Sequence, residues 1–302
     1  MGFMENKSDL IINISFMNYR FIFCFLITVN LSVINSYSQE NSFKKNLISN
    51  MLNAIDSHNQ IAIEMFRSER NKNGEFIEGK FFAKLQSNPY KIYAKMEAPR
   101  EGAEILYKNG ENDDKALVNP NSFPYFSLSF DPNGSLLKSD GHHNIKEAGF
   151  TLFSKMFKTH IRNYGEAFYD LISYEGIFNW NGKKCHKIEI EYSDYKEIKY
   201  SSNGNENLYD IADKKMINVA KLRFLNPHII DNKKLDKGQM ISITSLYSKK
   251  SVLYLDKENF FPIYQLIYDE IGLFEKYIYT KLILDKEIQP EEFNRDYKDY
   301  NF

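Results

Sequence analysis

The sequence predicts an α+β protein in which an antiparallel sheet is accompanied by a long N-terminal helix and interrupted by a small strand–helix–helix–strand unit. The chain of 302 residues contains 24 Phe and 21 Tyr, and aromatic side chains are favoured on the half-buried surface of a sheet. Short apolar stretches alternate with turn signals such as Asn73-Gly74 and Asn181-Gly182, a pattern that is typical of β-hairpins. Most of the chain is therefore expected to form strands.

The order of elements follows from apolar spacing. Residues 41–66 carry apolar side chains at helical spacing and are predicted to form the long helix, and residues 145–161 are predicted to form a second one whose pattern continues towards residue 171. Residues 293–302 are expected to pack as an extended tail. Strands are predicted over residues 76–86, 90–97, 103–108, 115–119, 172–180, 184–192, 251–256, 261–268 and 274–284.

Charge and cysteine content exclude some classes of function. Lys and Arg total 39 and Asp and Glu total 40, which gives a formal net charge of -1. No basic surface of the kind that gathers nucleic acid is expected, so nucleic acid is not a predicted partner. The two cysteines are Cys24 and Cys185, and the first lies in a segment that is expected to be removed. A single remaining thiol cannot form an intramolecular disulfide.

The N-terminus has the pattern of a signal peptide. An apolar stretch over residues 21–34 is too short to span a bilayer comfortably, follows a basic residue and precedes small residues, so cleavage is predicted after residue 38. Residues 1–16 are interpreted as a start-site artefact, because Met17 begins a compact signal peptide. The alternative is a retained N-terminal anchor helix. The mature chain is expected to be exported, periplasmic or cell-envelope associated, with no transmembrane segment.

Residues 198–244 differ from their surroundings. Leu208, Ile211 and Ala212 place a small apolar face on one short helix, and a second short helix ends at Asn226-Pro227, because a residue before proline disfavours the helical conformation. Gly238 permits a tight turn into a final strand. The pattern alone predicts a strand–helix–helix–strand unit.

This unit resembles the LysM domain over about residues 198–244, in three blocks at suitable spacing: residues 200–212, residues 219–227, which end in the Asn-Pro pair, and residues 235–243. It departs from the family pattern at Asn205, Asn207 and Thr244. The resemblance implies binding of peptidoglycan or a related N-acetylglucosamine glycan between two loops; the alternative is a unit that keeps the fold and has lost the sugar. The glycan-binding residues that it implies are Glu206, Asn207, Leu208, Asn226, Pro227, His228, Ile229 and Ile230.

The remaining sequence, residues 41–197 with 245–302, is expected to form a β-rich host domain. It is similar to the exported domain-of-unknown-function family numbered 1571, and the residues that carry the similarity are 81–97, 102–107, 149–150, 255–256, 261–263 and 268–277. Such sequences also resemble the LolA-type half-barrel, in which a long helix lies in an open, curved antiparallel sheet. That resemblance implies a concave face that can hold an acyl chain or a lipoprotein; the alternative is an ordinary filled core.

No candidate for catalysis or metal binding stands out. His142-His143 lacks the helical spacing of metal ligands and is interpreted as loop, and Cys185-His186 is interpreted as a strand pair whose side chains diverge. Asp269, Glu270 and Glu275 are interpreted as a solvated strand end. No metal and no cofactor are expected.

The predicted function is therefore non-catalytic binding of wall glycan at the cell envelope, through the inserted unit, with a host half-barrel that holds lipid or lipoprotein. The first alternative is a lipid or lipoprotein carrier or sensor in which the inserted unit is only structural. The second is an enzyme that acts on wall glycan.

Overall fold

The computed structural model describes residues 38–123, 125–134, 137, 141–284 and 287–302. Cys24 and the predicted signal peptide, apart from its last residue, lie outside the described residues. The chain divides into two compact units, Met1–Ile48 and Ser49–Phe302, and the sheet and the helices that follow it belong to the second unit. Among the described helices, none has the length and apolar character needed to cross a membrane.

The N-terminal helix is shorter than predicted. Residues 38–57 form helix α1, and strand β1 (Gln60–Arg70) follows after a short break. The prediction of helix as far as residue 66 is wrong, because the apolar residues Ile61, Ile63 and Met65 also fit the two-residue period of a strand. Pairing of β1 with neighbours on both sides decides between the two patterns.

A curved antiparallel sheet makes up most of the unit. Besides β1, its strands are β2 (Phe76–Ser87), β3 (Tyr90–Ala98), β4 (Glu104–Lys108), β5 (Ala116–Asn119), β6 (Leu128–Phe130), β7 (Ile172–Trp180), β8 (Lys183–Glu191), β11 (Lys250–Asp256), β12 (Pro262–Tyr268) and β13 (Leu273–Ile283). The predicted strands are confirmed to within one residue at either end, and β6 was not predicted. The strand order is β6-β5-β4-β3-β2-β1-β13-β12-β11-β8-β7, so the N- and C-terminal parts of the chain meet where β1 pairs with β13.

The middle helical segment has three parts. A 3-10 turn (Ile145–Glu147) precedes helix α2 (Thr151–Tyr164), and a 3-10 helix (Gly165–Leu171) leads into β7. Gly149 has a φ of 87° and lies against the sheet, where a Cβ atom would come within 3.1 Å of Leu85 Cδ2. Glycine at this position lets the start of α2 approach the sheet closely.

A separate strand–helix–helix–strand unit connects β8 to β11, which are themselves neighbours in the large sheet. It consists of β9 (Glu197–Ser201), α3 (Leu208–Lys215), α4 (Val219–Leu225) and β10 (Met240–Thr244), and its two strands pair only with each other. The unit has its own apolar core of Leu208, Ile211, Ala212, Ile217, Val219, Leu222, Leu235, Ile241 and Ile243. The two short helices cover one face of the two-stranded sheet.

The C-terminal tail covers one face of the large sheet. A 3-10 turn (Pro290–Phe293) is followed by residues that pack on β3 and β4, where the ring of Tyr300 stacks on that of Tyr93 at a centroid distance of 3.6 Å. Tyr93 and Leu106 face this tail, whereas their neighbours Ala94 and Ile105 face the opposite side, because side chains alternate along a strand. The opposite, concave side is therefore left free of the tail.

Candidate functional site

A cavity of about 260 Å³ lies between the concave face of the sheet and the segment that contains α2. Its apolar wall comes from alternate residues of the strands and from the start of α2, as expected where side chains of period two line one face. The side chains that form this wall are Met65, Ile77, Phe81, Ala94, Met96, Ala103, Ile105, Val118, Leu152, Phe153, Met156 and Ile267.

The cavity reaches the surface at one end of the sheet. Glu78, Pro99 and Arg100 line it and are exposed, whereas the other lining residues are buried or half-buried. Pro99 and Arg100 lie in the turn between β3 and β4, and Glu78 lies near the start of β2. The strand order places both positions at the same end of the sheet.

A buried polar network lines another part of the cavity, and Glu275 of β13 is its centre. Its Oε1 atom lies 2.7 Å from His142 Nδ1 and accepts a hydrogen bond from Asn218 Nδ2 at 2.5 Å. Its Oε2 atom accepts a hydrogen bond from the Tyr247 hydroxyl at 2.9 Å. His143 Nε2 lies 2.9 Å from the same hydroxyl. Glu275 is completely buried, so its charge is stabilised by these donors rather than by water.

A second buried carboxylate, Glu69 of β1, continues the network. It accepts hydrogen bonds from the Tyr277 hydroxyl at 2.8 Å, from the backbone N–H of His142 at 3.0 Å and from Arg67 Nη1 at 2.6 Å. Its side chain is 1% exposed. Each of the two carboxylates thus has three hydrogen-bond partners within the protein.

The electrostatics of the network follow from burial and pairing. Burial by itself would lower the pKa of His143, but its hydrogen bonds with Glu147 and Glu275 outweigh this and raise the pKa well above the usual value. Burial would raise the pKa of Glu275, and the hydrogen bonds from His142 and His143 instead hold that pKa far below the usual value. Burial raises the pKa of Tyr247 well above its ordinary value. His143 and Glu275 therefore form a charged pair beside an apolar cavity.

One interpretation from sequence is wrong here. Asp269 and Glu275 do not form a solvated strand end, because both are buried, and only Glu270 of that group is exposed. His142 and His143 do lie in a loop, but both rings contact Glu275, which is distant in sequence. The pairing depends on the position of this loop against β13, so no spacing motif in the sequence could have revealed it.

The adjacent residues Cys185 and His186 do not form a nucleophile and its base. Cys185 is fully buried, and burial raises the pKa of its thiol to about 11. His186 Nδ1 instead lies 3.0 Å from the Tyr174 hydroxyl. A thiol that stays protonated at neutral pH is a poor nucleophile.

Three of the predicted glycan-binding residues hold the small unit together. Leu208 is fully buried in its core, and Glu206 is buried and accepts a hydrogen bond from the Tyr200 hydroxyl at 2.8 Å. The Asn226 side chain donates to the carbonyl of Ser242 at 2.7 Å and accepts from the N–H of the same residue at 2.9 Å. These contacts tie the end of α4 to β10.

The other five predicted residues lie at or near the surface of the unit. Asn207 caps α3 with its side chain, Ile229 packs against the core, and Pro227, His228 and Ile230 are exposed. The two loops that carry the eight residues are adjacent, since the N–H of Leu208 donates to the carbonyl of Asp231 at 3.1 Å. The structure thus brings the predicted set together along one side of the unit.

The family model for the "Protein of unknown function (DUF1571)" matches residues 58–242, which is more than half of the chain. The match includes most of the strand–helix–helix–strand unit as well as β1 to β8. A search of curated proteins gives no match.

Several solved structures are similar at low sequence identity. MucB is 9% identical with a TM-score of 0.42, covering 84% of this chain and 62% of that chain. Lipoprotein LppX from Mycobacterium tuberculosis is 7% identical with a TM-score of 0.39, covering 82% and 98%. A LolA superfamily protein from Nitrosomonas europaea is 11% identical with a TM-score of 0.33, covering 84% and 98%.

Proposed function

The chain belongs to the DUF1571 family, and we propose that it binds lipid, holding the acyl chain of a free lipid or of a lipoprotein in the cavity on the concave face of its sheet. The main support for lipid binding is an apolar cavity of about 260 Å³ that reaches the surface between Glu78, Pro99 and Arg100. Ligand pockets in proteins typically measure about 300–1,000 Å³, so this volume suits one chain rather than a whole lipid. This is the function predicted as the first alternative from sequence.

The lining supports an acyl chain over a polar ligand. Met, Phe, Ile and Ala side chains dominate it, and burial of each methylene group contributes about 0.8 kcal/mol of binding free energy. The carboxylates of Glu69 and Glu275 are already engaged in hydrogen bonds with several groups of the protein, which supports binding rather than catalysis. The signal peptide predicted over residues 1–38 supports action outside the cytoplasm, where lipids and lipoproteins of the envelope are reached.

Filling the cavity tests this proposal. Ala94 and Ala103 are buried and line the cavity from β3 and from the turn before β4, so Ala94→Trp and Ala103→Phe should each occupy the space of the chain. We expect at least about tenfold weaker binding of a fluorescent fatty acid, measured by titration without detergent, since several methylene contacts are lost. Native mass spectrometry of the unmodified protein should show a co-purified acyl species.

The control is Ala167→Trp, at an exposed position of the 3-10 helix before β7 that does not line the cavity. Melting temperatures of all three variants identify any that fail to fold. Unchanged fatty-acid affinity in folded Ala94→Trp and Ala103→Phe, together with the absence of any bound acyl species, would refute lipid binding in this cavity.

A second candidate is the glycan binding that the LysM resemblance implies. The adjacency of its two loops and the exposure of Pro227, His228 and Ile230 favour it, because a sugar needs both polar groups and an apolar surface within reach. Purified mature protein should then co-sediment with peptidoglycan sacculi, and the double change His228→Ala with Ile230→Asp should abolish this. Met240→Asp, at a residue that is also exposed in the unit, is the matched control. Equal sedimentation of both variants would remove this candidate.

A further inference from the structure

The loop between β5 and β6 carries the most exposed aromatic side chains of the described chain. Phe123 is 84% exposed, Tyr125 is 78% exposed and Phe126 is 57% exposed. Large apolar side chains are usually buried, and a cluster that is not buried marks an interaction surface. Single exposed apolar residues are common on protein surfaces, but here three exposed aromatic residues lie within four positions and form a cluster.

The loop lies at the end of the sheet where the cavity opens. Glu104 pairs with Asn119, so the turn that precedes β4 and the loop that follows β5 are neighbours. The Asn121 side chain donates to the carbonyl of Glu101 at 3.0 Å and fixes the loop against that turn. Pro120, immediately before the loop, lines the cavity beside Pro99.

Two further exposed apolar residues lie at the same end of the sheet. Phe76 begins β2 and is 43% exposed, and Ile271 lies in the turn between β12 and β13 and is 75% exposed. The pairing of Arg70 with Phe76, and of Glu69 with Glu275, places both turns at this end. The apolar surface therefore extends beyond one loop.

We propose that this end of the sheet docks on the surface of a phospholipid bilayer, with Phe123, Tyr125 and Phe126 in the interfacial layer and the cavity opening turned towards the lipid. Aromatic side chains are favoured at the level of the lipid head groups, where an apolar ring and a polar tip are both accommodated. The choice of a bilayer over a protein partner rests on the proposed function, because a cavity for acyl chains opens beside these side chains.

Charge near the loop indicates how docking is driven. The exposed charges of the neighbouring turns and of the cavity opening are mostly acidic, with Lys72 and Arg100 opposed by Glu75, Glu78, Glu101 and Glu270. Such a surface gains nothing from anionic head groups, which attract clustered basic residues. Binding should therefore depend on aromatic burial and be no stronger to anionic than to neutral bilayers.

Vesicle co-sedimentation tests the proposal with the full mature chain. The unmodified protein should bind phosphatidylcholine vesicles, and should bind vesicles that also contain phosphatidylglycerol no more strongly. The triple change Phe123→Ser, Tyr125→Ser and Phe126→Ser should weaken partition by at least about tenfold, since three aromatic side chains no longer enter the bilayer. The matched control is Ile177→Ser with Phe178→Ser, two exposed residues of the edge strand β7, which should leave binding unchanged.

Fatty-acid titration without vesicles separates this inference from the proposed function. The triple variant should keep the fatty-acid affinity of the unmodified protein, because none of its three changed side chains lines the cavity. Equal vesicle binding by the triple variant and the unmodified protein, or binding to anionic vesicles alone, would overturn bilayer docking. Absence of vesicle binding by all proteins, with fatty-acid affinity intact, would also overturn it and leave the loop as a contact for another protein.

Discussion

Replacement of Glu275 by alanine is expected to lower the free energy of unfolding by about 3–5 kcal/mol, the range measured when one partner of a buried charged group is removed. The carboxylate is fully buried and is bonded to His142, Asn218 and Tyr247. Without it, these three groups lose their buried acceptor, and the positive charge of His143 keeps only Glu147 as its partner. Urea denaturation of the mature protein at pH 7 measures the loss.

Glu64→Ala is the matched control for this change. Glu64 lies in the neighbouring strand β1, its side chain is 31% exposed, and it pairs with Lys281 at 3.3 Å. Ion pairs of this exposed kind contribute about 0–1 kcal/mol, so the control should change stability little. A loss for Glu275→Ala no larger than that of the control would show that the network does not support the fold.

The contributions of Glu275 and His143 to the free energy of unfolding should depend on pH. The pKa of Glu275 is lowered in the folded chain, so its contribution is present above the usual carboxyl value and is lost as the pH falls through that range. The pKa of His143 is raised, so its contribution is present below the usual imidazole value and is lost as the pH rises towards the raised one. Between pH 5.5 and pH 3.5 the unmodified protein should lose about 1.4 kcal/mol through this carboxyl, and Glu275→Gln should lack that component.

The strands of this fold could be predicted because their signals are local. Asn73-Gly74 and Asn181-Gly182 mark turns, and alternation along β2 assigns Phe81 to the cavity and Phe82 to the tail. The end of α1 could not be predicted from the same information. The apolar residues after residue 57 fit both the helical spacing and the two-residue period of a strand. Pairing of this segment with β2 and β13 decides in favour of the strand.

The cavity and its polar wall could not be predicted, because both depend on contacts between distant parts of the chain. His142 and Glu275 are separated by 133 positions. The structural roles of residues in the small unit could not be predicted either. Asn226 fits the motif that suggested a glycan contact, yet its side chain forms two hydrogen bonds with the backbone of Ser242 in β10. A motif indicates which residues a fold needs, and the contacts decide whether a side chain remains available to a ligand.

Replacement of Asp269 by alanine is the second change for which a large effect is expected. Asp269 Oδ2 accepts hydrogen bonds from Arg70 Nη2 at 2.5 Å and from Lys221 Nζ at 2.8 Å, and all three side chains are buried or nearly so. Burial would raise the pKa of Asp269, but the hydrogen bonds from Lys221 and Arg70 outweigh this and lower it. Two buried cations would be left without their shared anion, at a cost of about 3–5 kcal/mol in urea denaturation.

Glu270→Ala provides a control on the same lysine. Glu270 Oε1 also accepts from Lys221 Nζ, at 2.5 Å, but its side chain is 50% exposed, so its removal should cost less than about 1 kcal/mol. Adding Lys221→Met to Asp269→Ala should recover part of the loss, since one unpaired charge is removed. Equal costs for the two single changes, or no recovery in the double variant, would contradict this account.

Because Lys221 connects the small unit to the sheet, Asp269→Ala should also weaken the attachment of that unit. Lys221 belongs to α4 of the strand–helix–helix–strand unit, whereas Arg70 and Asp269 belong to the end of the sheet where the cavity opens. Loss of the shared carboxylate should therefore loosen the unit from the sheet before the sheet itself unfolds. Amide hydrogen exchange should rise first in residues 219–225, while the pairing of β1 with β13 stays protected.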